Sequence, residues 1–289
     1  MSVFSFLASH ALAFVFCATV LGLLVGSFLN VVVYRLPVMM QREWRMQARE
    51  YLELPAEADG GRFNLMWPAS RCPHCNHWIR AWENVPVISW LALRGKCSSC
   101  SAPISYRYPL VELACGVLSG YIAWHFGFTV QAGAMLVLTW GLLAASMIDV
   151  DHQLLPDSIV LPLLWLGLIL NTQALFALLT DALWGAVAGY LSLWSVYWLF
   201  KLITGKEGMG YGDFKLLAML GAWGGWQVLP LTILLSSVVG AVLGTITLRM
   251  QKAESGTPIP FGPYLAIAGW IALLWGERIT AGYLRFANF

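Results

Sequence analysis

Charge is what this sequence is short of. Only 11% of its 289 residues are Asp, Glu, Lys or Arg, while 59% are hydrophobic. A soluble domain carries about a quarter charged residues, so an ordinary soluble globular chain is excluded, and a mean hydropathy of +0.69 agrees. The first ten residues contain no Lys or Arg, so the basic flank of a cleaved signal peptide is missing and the first apolar run is expected to stay as a span. Neither G-x-G-x-x-G nor G-x-x-x-x-G-K-[ST] occurs. No strand–helix alternation carries a nucleotide-type glycine loop either. A P-loop enzyme and a soluble Rossmann domain are thereby excluded.

What the chain does have is apolar runs of spanning length, repeated from end to end. Eight can be read: about 11–34, 108–126, 131–150, 157–172, 175–200, 214–228, 229–249 and 261–284. The fourth and sixth are short for a span, and the break "GGWQVLP" between the sixth and seventh is the least defined. The fold class expected is an all-α polytopic membrane protein of about eight transmembrane helices, because lipid offers no partner to free backbone groups. Residues 35–107 hold ten of the 17 Lys and Arg; Lys201, Lys206, Lys215, Arg249 and Lys252 bring the total to fifteen. In an eight-span arrangement all fifteen share one side, which makes that side cytoplasmic and puts both termini outside. Only Arg278 and Arg285 break the pattern. The domains expected are a first span at 1–34, a cytoplasmic loop at 35–107 and a membrane core at 108–289.

The long loop opens on "QREWRMQAREYLELP", which suits an amphipathic helix on the membrane surface or a solvated connecting helix. "CPHC" at 72–75 and "CSSC" at 97–100 follow. Two Cys-x2-Cys pairs suit a tetrahedral Zn²⁺ bound by four thiolates, here Cys72, Cys75, Cys97 and Cys100. The x21 separation is one residue beyond the usual ribbon range. Two structural disulfides are disfavoured in a reducing cytoplasm, and no thioredoxin-like context favours a redox pair. Four ligands leave no open position, so the zinc is expected to be structural. Cys17 and Cys115 lie in apolar runs and read as core residues.

Two acid clusters mark the ends of spans. "SMIDVDHQLLPD" carries Asp149, Asp151 and Asp157, and "GMGYGDFKLLAMLGAW" carries Asp213. The expected topology puts Asp149 and Asp213 at one depth, on the cytoplasmic side. An ionisable group near hydrocarbon points to function, although Asp213 also suits a helix N-cap and Asp149 with Asp151 suits a solvated pair. Two carboxylates sharing a site hold a proton between them. That is what peptide hydrolysis by an aspartic mechanism needs: one carboxylate takes a proton from water, and the protonated one polarises the scissile carbonyl. Asp149 and Asp151 point in different directions on a helix, and spacing does not say which meets Asp213. Gly208, Gly210 and Gly212 are expected to supply backbone freedom and, with Gly210 and Gly212 as the approach loop, to let an extended peptide come close to the carboxylate.

In these residues the sequence resembles the prepilin peptidases, the bifunctional processing enzymes of type IV pilus and type II secretion systems. "GSFLNVVVYRLP" at 26–37, the two Cys pairs, "IDVDHQLLPD" at 148–157 and the stretch around Asp213 occur in the family's order. The G-x-G-D element alone is shared with presenilin-like intramembrane proteases; the combination is specific. The resemblance implies that Asp149 and Asp213 are the catalytic pair and that the substrates are prepilins and pseudopilins with a short basic leader ending in Gly. It implies cleavage at the cytoplasmic face of the bacterial inner membrane, then methylation of the new N-terminal residue, usually Phe, with S-adenosylmethionine. The Cys-bearing loop is the insertion of bifunctional members. Methyl-donor contacts are not assigned; the loop, with "LRGKCSSC", and the polar residues near Asn30 and Arg35 are candidates. The partners expected are those substrates and membrane lipid, with no nucleic acid. A proton-coupled carrier would favour polar groups at mid-membrane, and a zinc-ribbon scaffold would leave the paired acids unused.

Overall fold

The computed structural model describes residues 3–55, 61–251 and 260–286. They form ten α-helices: α1 (Val3–Ser9), α2 (Ala11–Tyr51), α3 (Ile88–Ala92), α4 (Arg107–Phe126), α5 (Val130–His152), α6 (Asp157–Asn171), α7 (Leu179–Thr204), α8 (Tyr211–Gly224), α9 (Leu229–Gln251) and α10 (Gly262–Phe286). Two short 3₁₀ turns lie at Ala81–Asn84 and Trp226–Val228. Among the described residues the extended pairings named are two isolated bridges, Arg71 with Trp78 and Lys96 with Pro103. Each of the eight apolar segments falls on a helix of its own. Three of these helices, α2, α5 and α7, and the stretch Trp226–Leu243 are long and apolar enough to cross a membrane. Helices satisfy every backbone group locally, which is what an apolar segment in lipid must do. Lys252, one of the basic residues that orient the chain, lies outside the described residues.

Two boundaries are informative. The uncertain break is real: α8 stops at Gly224, Gly225 takes φ 77, and α9 begins after one 3₁₀ turn. The helix of the first apolar run, α2, in contrast, does not end near residue 34. It runs unbroken through Pro37 to Tyr51, 41 residues in all. At 1.5 Å per residue that is roughly 60 Å, about twice a bilayer's hydrocarbon core. The amphipathic segment is therefore a continuation of α2 rather than a separate helix.

The chain divides into two compact units, Met1–Trp140 and Gly141–Phe289. In the first, α2 packs on α4 through glycines spaced four apart on both helices. A Cβ at Gly26 would stand 2.7 Å from Glu112 Cα and 2.9 Å from Cys115 Cβ, and one at Gly116 would stand 2.8 Å from Leu23. Small residues at this period let two backbones approach closely without help from the hydrophobic effect, which lipid removes. Cys115 is fully buried in that seam, as expected of a core residue. Cys17 is not: it is exposed on the outer face of α2.

In the second unit α8 is the central helix. All its residues from Asp213 to Trp223 are buried except Lys215. It packs against α6, α7 and α10. Gly185 and Gly189 of α7 lie directly on its backbone, at Gly221 and at Leu217. The far end of α8 is held by Asn171, whose amide donates to Ala222 O and Trp223 O (both 2.9 Å) and accepts from Phe176 N and Ala177 N. Trp223 Nε1 donates to Leu163 O at 2.8 Å. An amide buried in an apolar bundle is tolerable only when its polar atoms are used in this way.

Candidate functional site

The second unit brings Asp149 and Asp213 together. Asp149 lies in the last turn of α5, where Gln153, with φ 52, donates its N–H to Asp149 O and stops the helix. Asp213 is the third residue of α8. Both side chains are buried, at 5% and 8% exposure, and they lie near enough for their charges to act on one another. Asp151 is exposed. The alternative that spacing leaves open is closed by helix phase: one acid of the pair faces the bundle and the other faces out.

The two buried acids differ in what their helices ask of them. The N-cap of α8 is Gly210, and Asp213, at N3 in the first turn, takes the backbone N–H of Gly210 as the acid of a capping box does. An acid in the last turn of α5 works against the helix macrodipole. What compensates Asp149 is a backbone donor from α10: the Gly262 N–H, 3.0 Å from Oδ2. The Oδ1 of Asp213 is buried and has no hydrogen-bond partner among the described residues. A buried polar oxygen in this state costs stability and calls for an explanation.

Leu155 joins the parts. It is buried, and the Cβ positions of Gly212 and Gly262 would stand 2.8 Å and 3.1 Å from its side chain. A Cβ on Gly262 would also come within 2.7 Å of Asp149 Oδ2. Gly262 is thus a site residue that sequence reasoning missed. Its only signal is a glycine beside Pro263, just ahead of an apolar run. At the rim, Lys215 Nζ bonds both oxygens of Asp157 (2.8 and 2.7 Å), tying the first turns of α8 and α6. Both partners are partly exposed, so the pair contributes roughly 0–1 kcal/mol.

Of the two purposes expected of the glycines before Asp213, left-handed backbone freedom is not met. Gly208, Gly210 and Gly212 are absent from the positive-φ glycines; Gly210 has φ −83. Backbone freedom is not their reason. Gly208 lies against the Phe200 ring and Gly212 against Leu155, each too close for a side chain. Gly210 faces open space, and the nearest side-chain atom to its Cβ position is Asp213 Oδ2 at 3.9 Å. The turn's actual left-handed residue is Gly205, which ends α7 at φ 69. Beyond it, Lys201 Nζ holds Glu207 at 2.8 Å and donates to Tyr197 OH at 3.2 Å.

The first unit carries the cysteine cluster. The sulfurs of Cys72, Cys75, Cys97 and Cys100 all lie within 4.8 Å of one another, an arrangement that could hold a metal ion. The two halves are built alike. Cys72 N donates to His77 O and Asn76 N to Cys72 O; Cys97 N donates to Ala102 O and Ser101 N to Cys97 O. Asn76 and Ser101, each one residue past its pair, both take positive φ, 56 and 58. Cys72–Cys100 is 3.8 Å and Cys75–Cys97 is 4.0 Å. Sulfurs around a tetrahedral Zn²⁺ at about 2.3 Å stand about 3.8 Å apart, so the cluster fits one zinc. The backbone N–H groups of Cys75 and His74 pull the Cys72 thiol down to about 7, and those of Cys100 and Ser99 lower Cys97. For Cys100 the Ala102 N–H lowers the value, but burial and the three neighbouring sulfurs outweigh it and push it up to about 12. Four thiols this close cannot all ionise without a cation among them. His77 is not part of the set; its Nε2 faces Glu83 and Ser98.

Arg35, a candidate for cofactor contact, is committed to the fold of this unit. Its guanidinium donates to Asn64 O at 2.9 Å and Pro68 O at 2.7 Å. Asn30 donates to Tyr108 O.

Comparison with known proteins bears on the whole chain. Residues 20–126 match the Bacterial Peptidase A24 N-terminal domain, and residues 136–245 match the Type IV leader peptidase family. The chain is 82% identical, over 98% of both chains, to a prepilin leader peptidase/N-methyltransferase of Stutzerimonas stutzeri. It is 73% identical over the full length of both chains to the protein of that name from Pseudomonas aeruginosa (strain PAO1), and 62% identical, again full length, to that of Pseudomonas putida. No solved structure matches it. Identity at this level over the whole length, on a chain with several membrane-length helices, a four-cysteine cluster and a buried aspartate pair, leaves one assignment: the chain is a multi-pass membrane protein of the prepilin leader peptidase/N-methyltransferase family, peptidase A24.

Proposed function

We propose that this protein cleaves the leader from prepilins and pseudopilins at the cytoplasmic face of the bacterial inner membrane, with Asp149 and Asp213 as the catalytic pair, and then methylates the new N-terminal residue. The observation that carries the cleavage step is the meeting of two buried carboxylates from α5 and α8, one held by a backbone N–H from α10. Asp149, fixed through Oδ2, is placed to take the proton from an attacking water. Asp213, whose Oδ1 has no partner among the described residues, is placed to donate to the carbonyl oxygen of the scissile bond. The division of labour is that of an aspartic peptidase. S-adenosylmethionine supplies, when bound, an electrophilic methyl group for the second step. In this reading the eight apolar helices all span, residues 1–34 form the first span, 35–107 the cytoplasmic loop and 108–289 the peptidase core. The test is the purified protein with a prepilin and the methyl donor, followed by mass spectrometry of the product N-terminus. Uncut prepilin would end the proposal; a cut, singly methylated product is expected.

Gly210 and Gly212 form the approach to the pair in this reading. Gly212 cannot test the idea, since any side chain there meets Leu155. Gly210 can, because its space is open and its φ and ψ suit any residue. Gly210→Val should fold and insert normally, yet stand over Asp213 and cut cleavage strongly, chiefly through a raised KM. An unchanged KM and kcat would show that no substrate backbone passes there.

The metal is expected to be one structural zinc on Cys72, Cys75, Cys97 and Cys100. Cys72→Ser should lose the zinc, measured by elemental analysis, and make residues 67–104 sensitive to protease, because a structural site supplies folding energy to its loop. Wild-type protein with no zinc and four alkylatable thiols would refute the assignment.

A further inference from the structure

The first unit contains a buried acid that peptide cleavage does not use. Glu112 of α4 is only 8% exposed. Its Oε2 accepts the Val87 N–H at 2.7 Å, and its other partner is the Ser27 hydroxyl of α2. Both partners are neutral, and a carboxylate buried without a cation is costly. Holding the Val87 N–H does not account for a charge, since a Gln or a backbone carbonyl would accept that bond as well. The turn at Val87 is itself strained: a β-branched residue at φ 61 and ψ −48, with Ile88 N donating to Pro86 O at 2.5 Å. This is the rare positive-φ γ-turn, and strain of this kind clusters at functional sites. The other described acids of the unit do not offer such a group. Glu83 is taken up by Ser98, the Arg80 N–H and His77, and Glu43, Glu50 and Glu53 are exposed.

We infer that Glu112 is the proton acceptor in the methylation step, an inference that rests on the two-step reading above. A peptide α-amine has a pKa of about 7.7–8.0, so at neutral pH most of it is ammonium and cannot attack. In the proposed step an ammonium N–H bond breaks and its proton passes to the Glu112 carboxylate. The freed nitrogen lone pair forms the N–C bond to the donor methyl. The C–S bond breaks, and its electron pair goes to the sulfonium sulfur, which leaves as a neutral thioether. Glu112 then returns its proton to water. A buried carboxylate whose partners here, the Val87 N–H and the Ser27 hydroxyl, are both neutral suits a cationic amine, and positioned general bases contribute about 10²–10⁴ in rate.

The experiment compares full-length wild-type protein with Glu112→Gln and Glu112→Ala, each given a prepilin with S-adenosylmethionine. Cleavage, methylation and the binding of S-adenosylhomocysteine by calorimetry are measured separately. The expected result is wild-type cleavage and product binding in both variants, with methylation reduced at least about 100-fold. Three results would overturn the inference. Full methylation by Glu112→Gln would reduce the carboxylate to a hydrogen-bond acceptor. Loss of cleavage together with methylation would make it an anchor of the fold. Loss of S-adenosylhomocysteine binding would make it a donor contact. Wild-type protein that cleaves but never methylates would instead remove the two-step reading itself.

Discussion

Asp149→Asn and Asp213→Asn should each lower prepilin cleavage by a factor of about 10³ or more, while Asp151→Asn leaves most of the activity. A positioned acid or base is worth roughly 10²–10⁴ in rate, and an aspartic mechanism loses its water activation or its carbonyl polarisation when either member becomes an amide. Asn is nearly isosteric, and the Asp149→Asn variant can still accept the Gly262 N–H through its amide oxygen, so both variants should insert and keep their zinc. Asp151 is two residues on and exposed, which is why the smaller effect is expected there. The assay is cleavage of a prepilin by equal amounts of each purified variant. Near-normal cleavage by Asp149→Asn, or inactivity confined to Asp151→Asn, would transfer the role to the other acid or abolish the pair.

How far the sequence reaches differs from one residue to the next. Each apolar run became a helix, the form in which an apolar segment pairs its own backbone groups within itself. The four cysteines met because two short knuckles with matching backbone bonds need only local turns and one closing contact. The acids were visible as expensive residues in apolar surroundings, but the choice between Asp149 and Asp151 needed helix phase, which two neighbouring acids at a helix end do not reveal. Composition gave the right residue type and the wrong reason for the glycines. They suggested backbone freedom, whereas Gly208 and Gly212 are small because Phe200 and Leu155 occupy the space. The 41-residue length of α2 was hidden by its change from apolar to charged composition near Arg35, which marks an environment boundary rather than a helix end. Glu112 was passed over because an isolated Glu in "YPLVELACG" follows a basic loop and reads as an edge residue; only its burial and its hold on Val87 single it out.

Gly262 carries the second large expected effect. Its N–H holds Asp149 Oδ2 at 3.0 Å, and its own Cβ position lies 2.7 Å from that oxygen and 3.1 Å from Leu155. Alanine at this site keeps the N–H but puts a methyl group where the carboxylate stands. Leu155 is buried and lies against Gly212 on its other side, so it has little room to retreat, and the carboxylate must move instead. A displacement of about 1 Å in a reacting group can cost around 100-fold in rate. Gly262→Ala should therefore lower kcat for cleavage by about two orders of magnitude with little change in KM, because the substrate still binds and only the attacking geometry is lost. Zinc content and membrane insertion should match the wild type, since the cysteine cluster belongs to the other unit. A Gly262→Ala protein that cleaves at the wild-type kcat would mean that the bond from α10 does not set the position of Asp149 during the reaction.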